Sequence, residues 1–153
     1  MQENIITYVN HFRKLYRQMF QALSEQYHLS QLEIDILLFL YNNPKYNTAR
    51  DISAMRGFAK SNVSKAVEIL KEKGYISTVI SPENRKIHRL ILEEDKKPRL
   101  EELSNCQKQC LTIPVEGFTQ KELSIFQDFF NRMNHNIKAA LNTMPETGGH
   151  HAL

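Results

Sequence analysis

Apolar residues recur through the first 27 positions at Ile5, Val9, Phe12, Tyr16, Met19, Leu23 and Tyr27, in steps of three and four. The spacing predicts a helix from Glu3 to about Tyr27, with a stripe close to the 3.5-residue period of a helix packed along another helix. Ile6 and Phe20 widen that stripe. A second helix signal follows at once: Ser30 stands three residues before Glu33, a capping box, with Leu29 and Ile34 placed to clasp around it. From Ile34 to Tyr41 the pattern is apolar on nearly every side, which predicts a central, buried helix stopped by Asn42-Asn43-Pro44.

The pattern then tightens. Thr48 and Asp51 form another capping pattern, and Ala49, Ile52, Ser53 and Met55 supply the inward face of a short helix ended by Gly57. A further helix begins near Ser61, its buried face set by Val63, Ala66, Val67 and Leu70. Ser61, Ser64, Lys65, Glu68 and Glu72 fall on the opposite face, with Asn62 at its flank. The first half of that face is small, polar and basic, and the second half is acidic. Lys73-Gly74 terminates the helix, because glycine accepts the left-handed conformation needed past its end. Tyr75 to Ile80 and Ile87 to Leu92 read as two strands flanking the turn Ser81 to Lys86, with Leu90 and Leu92 inward and Arg85 and Lys86 at the tip. A helix from Glu93 to about Leu111 carries Leu100 and Leu103, and Pro98 lies early enough to be tolerated. After the break at 112–117, Thr119 and Glu122 open a last helix bearing Leu123, Phe126, Phe130, Met133, Ile137, Ala140 and Met144.

The expected fold is mainly α with a small β-hairpin wing: a winged helix-turn-helix over residues 29–93, and helical dimerisation regions at 1–28 and 94–144. The matching near-heptad spacing of the two terminal helices argues that they pack together across a two-fold axis. Residues 145–153 lack apolar pattern and are expected to form a disordered tail.

Charge sharpens this picture. Net charge is only +3, but residues 45–92 hold ten Lys or Arg against four acids, a local +6, while the rest of the chain carries −3. Positive charge is concentrated where a phosphate-binding footprint would require it. No apolar run approaches the roughly 18 residues of a membrane span, and the N-terminus lacks a secretory pattern, so a cytoplasmic location is expected. Cys106 and Cys110 are too few for a disulfide scaffold. They read as reduced thiols, with a redox sensor as the alternative. Six histidines are scattered, without HExxH or paired CxxC spacing, and neither metal nor cofactor is expected. No phosphate loop, nucleophile motif or carboxylate pair suggests catalysis.

Laid out in order, LSQLEIDILLFL, TARDISAM, SNVSKAVEILKEKGYI and SPENRKIHRLIL make a chain that resembles the MarR family of bacterial transcription regulators over nearly its whole length. The resemblance implies an obligate homodimer whose terminal helices interlock and whose two winged modules read half-sites of a pseudo-palindrome, without catalysis. Family wings commonly carry an acidic residue and an Arg near the tip, then Leu-Thr. Here Arg85 remains, Ser81 and Asn84 stand where Asp is common, and Glu93 follows Leu92.

Candidate DNA contacts are therefore Lys60, Ser61, Asn62, Ser64 and Lys65 on the reading helix, and Arg85 and Lys86 on the wing. Arg50 and Arg56 would touch the DNA backbone or form surface pairs. The resemblance also implies a lipophilic small-molecule effector between the dimerisation helices and the reader. Tyr8, Phe12, Tyr16 and Tyr41 are candidates to line that cleft, the plainer alternative being core and dimer packing. The expected function is a sequence-specific DNA-binding regulator, most simply a repressor. The competing one is a winged-helix dimer serving protein contact without DNA.

Overall fold

The computed structural model describes residues 4–145. Its order is α1 (Ile5–Tyr27), α2 (Gln31–Asn42), α3 (Ala49–Arg56), α4 (Lys60–Glu72), β1 (Ile76–Ile80), β2 (His88–Leu92), α5 (Lys97–Thr112) and α6 (Gln120–Thr143). Single 3-10 turns precede α5 at Glu94–Lys96 and follow it at Ile113–Val115. The chain divides into two compact units, one ending at Leu111 and one beginning at Thr112. Apart from Pro145, the expected tail lies outside the described residues.

In the first unit, α2 is the centre. Ile34, Ile36, Leu37, Leu38, Phe39 and Leu40 are all buried, as an all-round apolar helix requires. Ser30 and Glu33 close the capping box from both sides, at 3.2 and 3.0 Å. Around α2 gather Phe20 of α1, Ile52 of α3, Val63, Ala66, Val67 and Leu70 of α4, Ile76 and Leu90 of the hairpin, and Leu100 and Leu103 of α5. The last two bring α5 against this core.

Along α1 the structure reorders the stripe. Phe20, expected only to widen it, is the one buried residue of the helix, while Ile5 and Val9 are exposed. The helix starts at Ile5 because the Asn4 side chain accepts hydrogen bonds from the N–H groups of Ile6 and Thr7, both at 3.0 Å. Met55 also departs from expectation. It is 52% exposed, since α3 ends one residue later and Met55 sits at the stripe's edge, about 60° round from Ile52.

The hairpin pairs antiparallel, Ile76 opposite Leu92 and Ile80 opposite His88. Its turn is closed by Ser81 N–H donating to the Ile87 carbonyl and Ile87 N–H to the Asn84 carbonyl, each at 2.9 Å. The Asn84 side chain accepts from Lys86 N–H at 3.0 Å, a local turn bond. In the second unit, Thr119 and Glu122 form the capping box of α6. Their bonds hold the Glu122 carboxyl below its usual range, backbone N–H first and hydroxyl second.

Candidate nucleic-acid interface

The expected reading helix, α4, is set by its neighbours before any surface residue matters. Gly57 ends α3 in the left-handed region at φ 68°, and the Ser53 hydroxyl donates to the Phe58 carbonyl at 2.6 Å, fixing the three-residue turn into α4. Val63, Ala66, Val67 and Leu70 anchor α4 in the core. At its far end Lys73 donates to the His28 carbonyl at 2.6 Å and to the buried Glu33 carboxylate at 2.8 Å, tying α4 to the start of α2. Gly74 then turns the chain at φ 69°.

This anchoring leaves Lys60, Ser61, Asn62, Ser64 and Lys65 exposed on one side of the first two turns. No side chain caps the α4 N-terminus, so its first backbone N–H groups are open to an anion. Lys71 pairs with Glu68 at 3.1 Å, which neutralises part of the acidic half. Arg85 and Lys86 are exposed at the wing tip.

The wing is joined to the reader by a residue that sequence reasoning passed over. Asn47 accepts at its carbonyl from Leu90 N–H at 2.7 Å, and at Oδ1 from Arg89 Nη1 at 3.1 Å. The only hint was a polar residue just ahead of the Thr48 cap, which carries no long-range information.

The aromatic candidates separate. Tyr8, Phe12, Tyr16 and Phe20 form a ladder along α1, with ring centroids 6.2, 6.2 and 4.7 Å apart. Phe12 and Tyr16 line a cleft of about 410 Å³ together with Val9, Arg13, Asp35, Arg56, Gln107 and Leu111. Tyr8 stacks on Phe12 at its edge, whereas Tyr41 lines a different, smaller hollow beside Leu92 and Leu100. Gln107 donates to the Tyr16 hydroxyl at 3.1 Å. Burial, reinforced by Asp35, pushes the Tyr16 phenol up to about 12. Burial likewise raises the Asp35 carboxyl, opposed by its bond from Gln31 and by Arg56. Arg56 thus lines this cleft, with its guanidinium 5.5 Å from the Phe58 ring.

Residues 29–87 match the MarR family. Over that segment the chain is similar to a MarR-family winged helix. Solved MarR-type structures share its fold along nearly the whole length. A regulator from Listeria monocytogenes complexed with 26mer DNA superposes with a TM-score of 0.78 at 14% identity, covering 99% of this chain and 100% of that one. A MarR protein from Peptoclostridium difficile gives 0.76 at 16%, covering 92% and 91%. BpsR of Bordetella bronchiseptica, whose structure addresses regulation of its DNA binding by 6-hydroxynicotinic acid, gives 0.66 at 16%, covering 86% and 99%. No curated protein matches the chain by sequence.

Cys106 and Cys110 are free thiols, half-buried and buried, and burial raises both away from the reactive thiolate. Among the described residues, no group of three His, Cys, Asp or Glu is placed to hold a metal ion, and no helix is long and apolar enough to cross a membrane.

Proposed function

We propose that the protein is a dimeric transcription regulator, acting as a repressor, that binds a pseudo-palindromic DNA site through α4 and the wing. The observation that carries this reading is the outward half of α4. Lys60, Ser61, Asn62, Ser64 and Lys65 are exposed together on a helix whose buried face and both ends are held by the core. Small polar and cationic side chains at a helix N-terminus suit a major groove lined by phosphates, with Asn62 and Lys65 positioned for base edges or backbone. The DNA bound by the Listeria neighbour supports the same use of the fold.

Dimerisation is supported by apolar faces that a single chain leaves in water. Phe126, Phe130, Met133 and Ile137 of α6 are each 44–54% exposed. Ile5 and Val9 of α1 are exposed as well. Covering a side chain of this size that is already half buried stabilises association by about 1 kcal/mol, and a second copy offers the same stripes in return.

The cleft at Phe12 and Tyr16 is the effector site in this proposal, taking a lipophilic small molecule. Its lining comes from α1, α2, α3 and α5, so a ligand there touches α3, the first helix of the reader, directly. Release requires only that the ligand bind one separation of the two readers better than the other. Small-molecule control of BpsR is a precedent within the fold.

The decisive experiment is a titration with DNA flanking its own coding region. Affinity should fall steeply as salt rises, and Lys65→Ala should weaken it. Flat, sequence-blind or absent binding would favour a protein-contact module instead.

A further inference from the structure

The lining of the cleft beside Phe12 and Tyr16 is mixed in a way that its lipophilic residues do not explain. Arg13 of α1 and Arg56 of α3 bring two guanidiniums to it, and Asp35 of α2 brings a carboxyl. Both arginines are exposed and Asp35 is half-buried. Among the described residues, none of the three is in an ion pair. Gln31 donates to Asp35 Oδ1 at 3.1 Å. Gln107 donates to the Tyr16 hydroxyl oxygen at 3.1 Å, which leaves the phenol's own proton to point at Asp35 beside it. The titratable and charged groups that share the cleft with Asp35 are therefore Arg13 and Tyr16 from α1 and Arg56 from α3, while α5 supplies Gln107 and Leu111, which do not titrate.

Two guanidiniums against one carboxylate favour an anion in the cleft, and an anion that enters sets a second negative charge against Asp35. Like charges that share a site raise the pKa of whichever can take a proton. Burial already moves the Asp35 carboxyl in that direction, with Arg56 opposing. The arginines stay cationic throughout, and Tyr16, pushed up to about 12, stays a phenol. Asp35 is thus the group in the lining that can answer the incoming charge. We propose that the cleft takes an amphipathic organic anion together with a proton: Arg56 and Arg13 hold the anionic head, and Asp35 binds one proton from solvent as the anion enters and donates it to that head as a hydrogen bond. The proposal rests on the effector reading of the cleft, and adds to it the charge of the ligand and a dependence of its affinity on pH. By linkage, affinity for the anion rises as pH falls, by up to about tenfold per pH unit between the pKa of Asp35 in the free protein and that in the complex. A neutral lipophile of the same shape sets no charge against Asp35 and shows no such dependence.

The test uses the full-length protein and two probes of similar shape: naphthalene-2-sulfonate, an anion that takes up no proton itself, and 2-naphthalenemethanol, its neutral counterpart. Affinity for the sulfonate should rise about tenfold or more from about pH 7.5 to about pH 5.5, while that for the alcohol stays within about twofold. Calorimetry at about pH 6.5 in two buffers of different ionisation heat counts the protons, and sulfonate binding should take up more than about half a proton per protomer. Asp35→Asn keeps the shape of the side chain and removes its titration. With folding verified by a melting curve, that variant should bind the sulfonate more tightly than wild type at about pH 7.5 and without proton uptake. Arg56→Ala, at an exposed position, should weaken the sulfonate about tenfold or more and spare the alcohol. Sulfonate binding without proton uptake in the wild type, or uptake that survives Asp35→Asn, overturns the proposal while leaving the cleft open to an effector. Probes that bind as proposed yet leave DNA affinity unaltered overturn the effector reading alone, and a protein that binds neither probe overturns both.

Discussion

Lys73→Met removes the tie between the end of α4 and the start of α2 while preserving most of the side chain's length and apolar bulk. In the native protein the ammonium donates to Glu33 Oε2 at 2.8 Å and to the His28 carbonyl at 2.6 Å. Glu33 is 5% exposed at its side chain and Lys73 32%. Deleting one partner of a fully buried ion pair costs about 3–5 kcal/mol, because the other charge is stranded. Two features lower that figure here. Water reaches the lysine side of the pair, and Glu33 Oε2 keeps its bond from the Ser30 N–H at 3.0 Å. A loss of about 2 kcal/mol is therefore expected. That corresponds to a fall of about 4–8 °C in melting temperature for a chain of this size. Urea denaturation at one fixed protein concentration is the assay, since dimerisation would otherwise shift the midpoint. The midpoint should drop with the slope unchanged. Glu33→Gln in the Lys73→Met background should restore part of the loss by removing the stranded charge. If Lys73→Met lies within about 0.5 kcal/mol of wild type, Lys73 behaves as a solvated surface lysine and the argument that it anchors α4 is wrong.

Two further outcomes follow from other parts of the chain. Phe130→Glu places a charge in the exposed apolar stripe of α6 and should convert the proposed dimer to monomer in sedimentation at micromolar concentration, leaving helical content unchanged; a dimeric variant would place the interface elsewhere. The Asp35 carboxyl is raised in the fold by burial. A raised folded pKa contributes stability that is full below the unfolded value and is lost as pH rises through the folded one. The melting temperature of wild type relative to Asp35→Asn should thus be highest near pH 3.5 and decline towards pH 7, and a constant difference would remove Asp35 from the account.

Helix ends and core faces were legible in the sequence because their causes are local. The Ser30/Glu33, Thr48/Asp51 and Thr119/Glu122 boxes each mark a helix start within one residue, since both partners lie within four positions of each other. The stripe Val63, Ala66, Val67 and Leu70 is buried as its period requires. Periodicity was less informative where a stripe serves more than one neighbour. In α1 the repeat includes Ile5, 59% exposed, whereas Phe20 beside the stripe is sunk in the core, and nothing in a repeat of three and four tells those two environments apart.

What the pattern could not reach was the set of contacts between segments far apart in the chain. Asn47 meets Arg89, Lys73 meets Glu33, and Asn42 donates to Gln107, which in turn donates to Tyr16. Each of these residues looks like an ordinary polar position in its own window. Together they decide where the wing sits, how α4 is held, and which aromatics share a cleft. Tyr41 illustrates the consequence: its chemistry suits the cleft as well as that of Tyr16, but α2 carries it to another hollow. Arg56, expected to touch the DNA backbone or form a surface pair, lies at the end of α3 beside Asp35 and Phe58, a neighbourhood its own window does not show. Residue type and period therefore define which side chains are available to a reading surface, whereas the long-range polar ties define the angle at which that surface is presented. A substitution at Asn47 or Lys73 should consequently alter DNA affinity without touching DNA.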